Sequence, residues 1–158
     1  KDAMTKPIPV IENYRTDKKL EKALILNYAD SATACRSAKI LRDRNPNCRI
    51  TLMTQNSQNI DQLYPNLFNE TFAIPSVKGW KKIKKHAELL NVIRSQKYDL
   101  VVMLSENAYS YMRRFPLSLT YLSGAGDKIV ADLKGSGYRV DHPGIHLSRM
   151  LSGLSVRQ

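Results

Sequence analysis

Residues 23–53 read ALILNYADSATACRSAKILRDRNPNCRITLM, and this stretch decides the fold class. It opens on an apolar run, Ala23 to Leu26, bounded by polar residues, which is the form a strand takes when both of its faces are covered. A short loop, Asn27 to Asp30, follows. Ala34, Cys35, Ala38 and Leu41 then recur at helical spacing, Arg36, Lys39, Arg42 and Arg44 fall mainly on other faces, and Pro46 stops the pattern. Arg49 to Met53 supplies the next strand. Two strands joined through a helix are parallel, because a parallel pair needs a crossover connection and an antiparallel pair needs only a hairpin.

The same alternation continues downstream. Gln58 to Tyr64 reads as a short helix and Thr71 to Ile74 as a third strand ended by Pro75. Ile83, Ala87, Leu90 and Ile93 draw an apolar stripe along a long helix that runs to about Gln96 and carries its lysines in the first turns. Leu100 to Leu104 is a solid β-rich run. Ser105 is placed to cap a helix through Met112, Pro116 permits a further helical segment toward Leu122, Lys128 to Ala131 forms a fifth strand, and His142 to Leu151 a closing helix. The bare Gly-x-Gly pairs at Gly124 and Gly126 and at Gly135 and Gly137 read as turns. The expected fold is α/β: a doubly wound, mainly parallel sheet with helices on both faces, a Rossmann-like domain spanning 22–158. Residues 1–21, with Pro7, Pro9 and alternating charges, read as an extended arm.

A chain of 158 residues with 42% hydrophobic content has the material for one domain with a real core. No run approaches the roughly 18 uninterrupted apolar residues of a spanning helix, and the first residues lack the apolar stretch of a secretory leader, so a cytoplasmic protein is expected. Cys35 and Cys48 lie far from any His at ligand spacing and read as buried thiols. The formal net charge is +11, and residues 78–114 carry nine basic against three acidic side chains, more than half of that excess. Lys78, Lys81, Lys82, Lys84 and Lys85 head this stretch. An anionic partner and a solvated helix face are both consistent with it. Nucleic acid is disfavoured, because the basic stretch holds one Trp and no recognisable reading motif.

No G-x-G-x-x-G follows the first strand and there is no Walker lysine loop. His142 and His146 are four apart, but Pro143 and Gly144 interrupt the helix that a paired metal site would need, and no metal is expected. No Ser or Cys has an identifiable oriented base. Doubly wound sheets bind ligands beyond the carboxyl ends of their strands, which directs attention to the loops after Leu26, Met53, Ile74, Leu104 and Ala131. In the first of these stands Asp30. At a helix amino terminus its carboxylate is stabilised. It can serve as a helix cap or as a general base in the ligand crevice.

Leu24 to Pro46, followed by Arg49-Ile50-Thr51-Leu52, resembles the amino-terminal region of the heptosyltransferases, bacterial glycosyltransferases of the two-domain GT-B architecture. That family reads strand, Gly-Asp loop, helix with a Leu-Arg ending, Pro, then strand, and Asp30 falls on its Asp. Ile74-Pro75-Ser76-Val77-Lys78-Gly79-Trp80-Lys81-Lys82 is similar to a family segment with an Ile-Pro and a basic-Trp-basic cluster. Tyr98-Asp99-Leu100-Val101-Val102 matches a Tyr-Asp strand opening, and His146 to Leu154 resembles the helix that leads to the second domain. The resemblance implies an acceptor-binding half of an inverting glycosyltransferase. Asp30 would activate the acceptor hydroxyl, and Lys78, Lys81 and Lys82 would bind an anionic saccharide or lipid-linked acceptor such as a lipopolysaccharide core. A sugar-nucleotide donor would sit on a second α/β domain or partner subunit outside these residues, with peripheral contact at the inner membrane surface. The alternative is a GT-B-derived module that binds or assembles without catalysis.

Overall fold

The computed structural model describes residues 7–55, 65–74, 76, 78–107 and 114–140. Its strands are β1 (Lys22–Asn27), β2 (Arg49–Thr54), β3 (Glu70–Ala73), β4 (Leu100–Ser105), β5 (Asp127–Asp132) and β6 (Gly137–Arg139); its helices are α1 (Pro9–Glu12), α2 (Ser31–Arg44), α3 (Trp80–Gln96) and α4 (Arg114–Tyr121). The strands form one sheet in the order β3-β2-β1-β4-β5-β6. The first five are mutually parallel, with Ile25 beside Leu52 on one side and Val102 on the other, and the antiparallel β6 closes one edge. The α/β, doubly wound, mainly parallel sheet expected from the sequence is the one observed.

Both faces of the central strands are buried, and the strand period of two divides their side chains between two cores. Ala23, Ile25, Ile50, Leu52, Leu100, Val102, Leu104 and Ile129 pack with Ala34, Cys35, Ala38 and Leu41 of α2. Leu24, Leu26, Met53, Val101, Met103 and Val130 pack with Ile93 of α3 and Leu117 and Leu119 of α4. From β1 the chain winds outward to β3, then returns across the sheet to β4 and winds the other way. Connections of one handedness therefore place α2 on one face and α3 and α4 on the other. The reversal falls between β1 and β4.

The arm packs on the face of α2 and carries one helical turn, α1; Ile8, Ile11, Tyr14 and Leu20 are buried in that core. A latch holds it at the amino edge of the sheet. Tyr14 Oη donates to Asp127 Oδ2 at 2.5 Å, Arg139 Nη2 donates to Asp127 Oδ1 at 2.7 Å, and the Arg139 guanidinium lies over the Tyr14 ring, 5.1 Å from its centre. β6 is an addition to the sequence reading, which gives only a turn there. Three residues are too few to show periodicity. The strand is made by its turn: the buried Asp132 carboxylate accepts the amides of Lys134 (3.0 Å) and Ser136 (2.9 Å), and Gly135 takes the φ of +87° that favours glycine. Gly137 then sits so close to β5 that a Cβ would lie 2.2 Å from the Val130 carbonyl oxygen. The expected helices Gln58 to Tyr64 and His142 to Leu151 lie outside the described residues, as do residues 108–112 of the helix expected after Ser105.

Candidate functional site

The edge to interrogate is the one where β1 and β4 end and the winding reverses, since the connections leaving these strands diverge to opposite faces and leave a crevice. Asn27, the last residue of β1, is 2% exposed and builds the loop that follows. Its Nδ2 donates to Thr54 Oγ1 at 3.1 Å, tying the ends of β1 and β2, and to the Asp30 carbonyl oxygen at 3.2 Å; its Oδ1 accepts the Ala29 amide at 3.1 Å. The Tyr28 amide donates to the Leu104 carbonyl oxygen at 2.7 Å, which ties the same loop to the end of β4. The loop is thus fixed from both neighbouring strands.

Asp30 is the cap of α2. Its backbone is extended, with φ −97° and ψ 169°, and its Oδ1 accepts the Thr33 amide at 2.8 Å. The side chain is exposed. Among the described residues no other group is hydrogen-bonded to this carboxylate. The geometry shows the cap read from the sequence, on a side chain that remains exposed at this edge. Ser105, the last residue of β4, is fully buried and, with Glu106 and Asn107 not helical, starts no helix at this point; its hydroxyl donates to the Asn107 carbonyl oxygen at 2.7 Å and accepts the Asn107 amide at 3.2 Å. Glu106 is exposed beside it. Met103 is buried in the core of the α3 face.

Lys78, Lys81 and Lys82 are all exposed at the start of α3, which follows the carboxyl end of β3. They reach the same edge of the sheet as Asp30, on the opposite face. β1 and β3 are two strand spacings apart, about 10 Å. The stripe Ile83, Ala87, Leu90 and Ile93 corrects differently from its sequence reading: Ile93 is buried and Leu90 half-buried, but Ile83 is 54% exposed and Ala87 is exposed too. The residues of α3 turned toward the protein are His86, Leu89, Leu90 and Ile93. Trp80, 86% exposed, is the most exposed large apolar side chain among the described residues.

Cys35 and Cys48 are free and buried; burial pushes both thiols up to about 11, so neither is a thiolate near neutral pH. Among the described residues no three His, Cys, Asp or Glu side chains gather as a metal site, and no helix is long and apolar enough to cross a membrane. His142 and His146 lie outside those residues. A cavity of about 110 Å³, bounded by Tyr14, Leu20, Asp99 and Asp127, lies at the amino edge, away from Asp30, and belongs to the seat of the arm. Sequence reasoning passed over Asn27 as an organiser of the loop, although a polar residue closing an apolar strand run was the available signal. It also passed over Trp80 as an exposed group, for which the sequence carries no signal. No family model matches the chain, and no curated protein matches it.

Proposed function

We propose that the domain is the acceptor-binding half of a heptosyltransferase-like inverting glycosyltransferase acting on an anionic saccharide such as a lipopolysaccharide core. The observation that carries this reading is the Asp30 carboxylate, anchored through one oxygen on an exposed side chain, in a loop pinned to both β2 and β4 at the reversal of winding. In the proposed reaction Asp30 Oδ2 takes the proton of an acceptor hydroxyl as that oxygen attacks the anomeric carbon of a sugar nucleotide. The bond from that carbon to the nucleotide diphosphate breaks on the far side, and the configuration inverts. The donor is held by a second α/β domain or partner subunit. Lys78, Lys81 and Lys82 orient the phosphate and carboxylate groups of the acceptor through charge.

A second reading, a non-catalytic binding or assembly module, draws on a specific observation. Where heptosyltransferases usually carry Asp and a Gln-Gly pair after this strand, Met103 is buried in the core, Ser105 is committed to its own turn, and only Glu106 is exposed. One experiment separates the two. With a donor-binding half supplied, Asp30→Asn keeps the cap but lowers sugar transfer on the order of 10² to 10⁴-fold, with acceptor affinity by calorimetry little changed. Equal transfer by parent and variant makes Asp30 a cap only. Acceptor binding without transfer from any sugar nucleotide favours the module.

A further inference from the structure

Guanidinium groups from three parts of the chain converge on the backbone of the arm at the amino edge of the sheet. The Tyr14 carbonyl oxygen accepts Arg15 Nη1 at 2.8 Å and Arg44 Nη1 at 3.1 Å, so these two nitrogens lie within about 6 Å of each other. The next carbonyl, that of Arg15, accepts Arg139 Nη1 at 3.1 Å. A carbonyl satisfies a donor without cancelling its charge. Arg139 has a carboxylate partner, Asp127 Oδ1 at 2.7 Å, but among the described residues Arg15, Arg44 and Lys18 form no ion pair. Beside the small cavity under the arm, Arg15, Thr16, Asp17, Lys18 and Arg139 wall an open depression of about 330 Å³. Asp17 is the carboxylate in that wall. The two carboxylates of the smaller cavity are already engaged, Asp127 by Tyr14 and Arg139, and Asp99 Oδ2 by the amides of Glu21 and Lys22, each at 2.9 Å. Cations therefore crowd a recess that holds too few carboxylates to balance them, and their mutual repulsion is relieved by an anion.

We propose that this depression binds the doubly charged phosphoryl group of a small soluble molecule, held by Arg15, Lys18 and Arg139, with Arg44 adding its charge across the Tyr14 carbonyl. Arg15 engages only Nη1 with the backbone, at the Tyr14 and Glu12 carbonyl oxygens, which leaves Nε and Nη2 as the fork that two phosphate oxygens accept. The volume selects the size of the ligand, since about 330 Å³ is at the lower end of small-molecule pockets, roughly 300 to 1,000 Å³. Bound there, the phosphate joins the arm, through Arg15 and Lys18, to β6, through Arg139, and so reinforces the latch made by Tyr14 and Asp127. Asp17 faces the same space and weakens the hold on any anion. The recess lies at the end of the strands opposite Asp30, about 20 Å away for six residues of β1, and the inference stands independently of sugar transfer.

The full chain is titrated with inorganic phosphate, above its second pKa and at constant ionic strength, and followed by amide NMR shifts. The shifts saturate and centre on residues 15–18 and on Arg139. A charge-assisted bond to a phosphate oxygen is worth about tenfold in affinity, so the double variant Arg15→Gln, Lys18→Gln binds at least tenfold more weakly. Lys84→Gln with Lys85→Gln removes the same charge from exposed positions at the opposite edge and changes binding little. Asp17→Asn tightens it. Because Arg15 also bonds to the backbone of the arm, Lys18→Gln alone is the second test: among the described residues the Lys18 ammonium has no hydrogen-bond partner, so this variant keeps the fold by circular dichroism and still binds several-fold more weakly. Phosphate at a hundred times its Kd shifts the urea unfolding equilibrium of the parent about a hundredfold toward the folded state. Shifts that never saturate overturn the proposal. So do equal losses from the two double variants, shifts centred on the start of α3, and unchanged binding in Lys18→Gln. Capture of phosphatidylglycerol vesicles that the Arg15, Lys18 variant abolishes overturns it too, because the recess would then serve a lipid headgroup.

Discussion

α2 and α3 both begin at the carboxyl edge of the sheet, and both carry basic residues, yet they start in opposite ways. α2 is capped by Asp30, buries Ala34, Cys35, Ala38 and Leu41 against the strands, and is covered further by the arm. α3 starts on an uncapped glycine with a φ of +66°, leaves its first two turns exposed, and is buried only at Ile93. Every level of description agrees at α2: capping, pattern and packing. At α3 they conflict, and such conflicts are expected where a surface is shaped by something other than the stability of the fold. The difference teaches that the fold is consolidated around α2 and leaves the start of α3 in solvent.

Single substitutions can break this contrast. Leu41→Ala empties a 1%-exposed site and is expected to cost about 2–5 kcal/mol, whereas Ile83→Ala at the exposed end of α3 stays within about 0.5 kcal/mol, both read by urea unfolding. Comparable losses would mean that the two helix starts are equally packed. A smaller effect is expected at the latch that keeps the arm over α2: Asp127→Asn should cost about 1–2 kcal/mol at neutral pH by weakening the bonds from Tyr14 and Arg139. Burial alone would raise the Asp127 pKa, but these two hydrogen bonds and the charges of Arg139 and Lys18 together hold it below its ordinary value. A depressed pKa gives stability that is fully present above the unfolded-state value and is lost as pH falls through the folded value. The acid limb of the parent's stability profile should therefore be steeper than that of Asp127→Asn.

The caps give finer tests. Asp30→Ala removes the acceptor of the Thr33 amide and should cost about 1 kcal/mol, while Asp30→Asn should be nearly neutral in stability. A loss of stability in both would show that charge, rather than the hydrogen bond, is what α2 requires. The smallest effect is expected at α3: Lys81→Glu exchanges a disfavoured for a favoured charge in the first turn and should stabilise by about 0.5 kcal/mol in thermal unfolding, even as it weakens any anionic contact. If it destabilises instead, the lysine serves the fold.

Much of this was legible from short runs of residues. Ala23 to Leu26, Leu100 to Leu104 and the helix between Ala34 and Leu41 were readable because a strand covered on both faces has to be apolar throughout, and a helix covered on one has to repeat near 3.6. Asp30 was readable as a cap because a polar residue between strand and helix satisfies amides at the helix start. The three residues of β6 were not readable, since Gly137 lies against β5 through a turn built by Asp132, and neither signal repeats. The stripe on α3 misled for a related reason: apolar spacing states that residues share a face and leaves open which surface covers it.

The sequence by itself determined the parallel α/β class, the two buried cysteines, the site of Asp30 and the crowding of lysines before Ile83, because each depends on local chemistry or on a periodicity contained in one segment. The tertiary structure alone decided that β1 and β4 meet at the reversal of winding, that Asn27 and the Leu104 carbonyl pin the Asp30 loop, that the arm is latched through Tyr14 and Asp127, and that Trp80 stands in solvent. Each of these depends on which distant segments become neighbours. That choice is made by the burial of many side chains at once, so no single stretch of the chain records it.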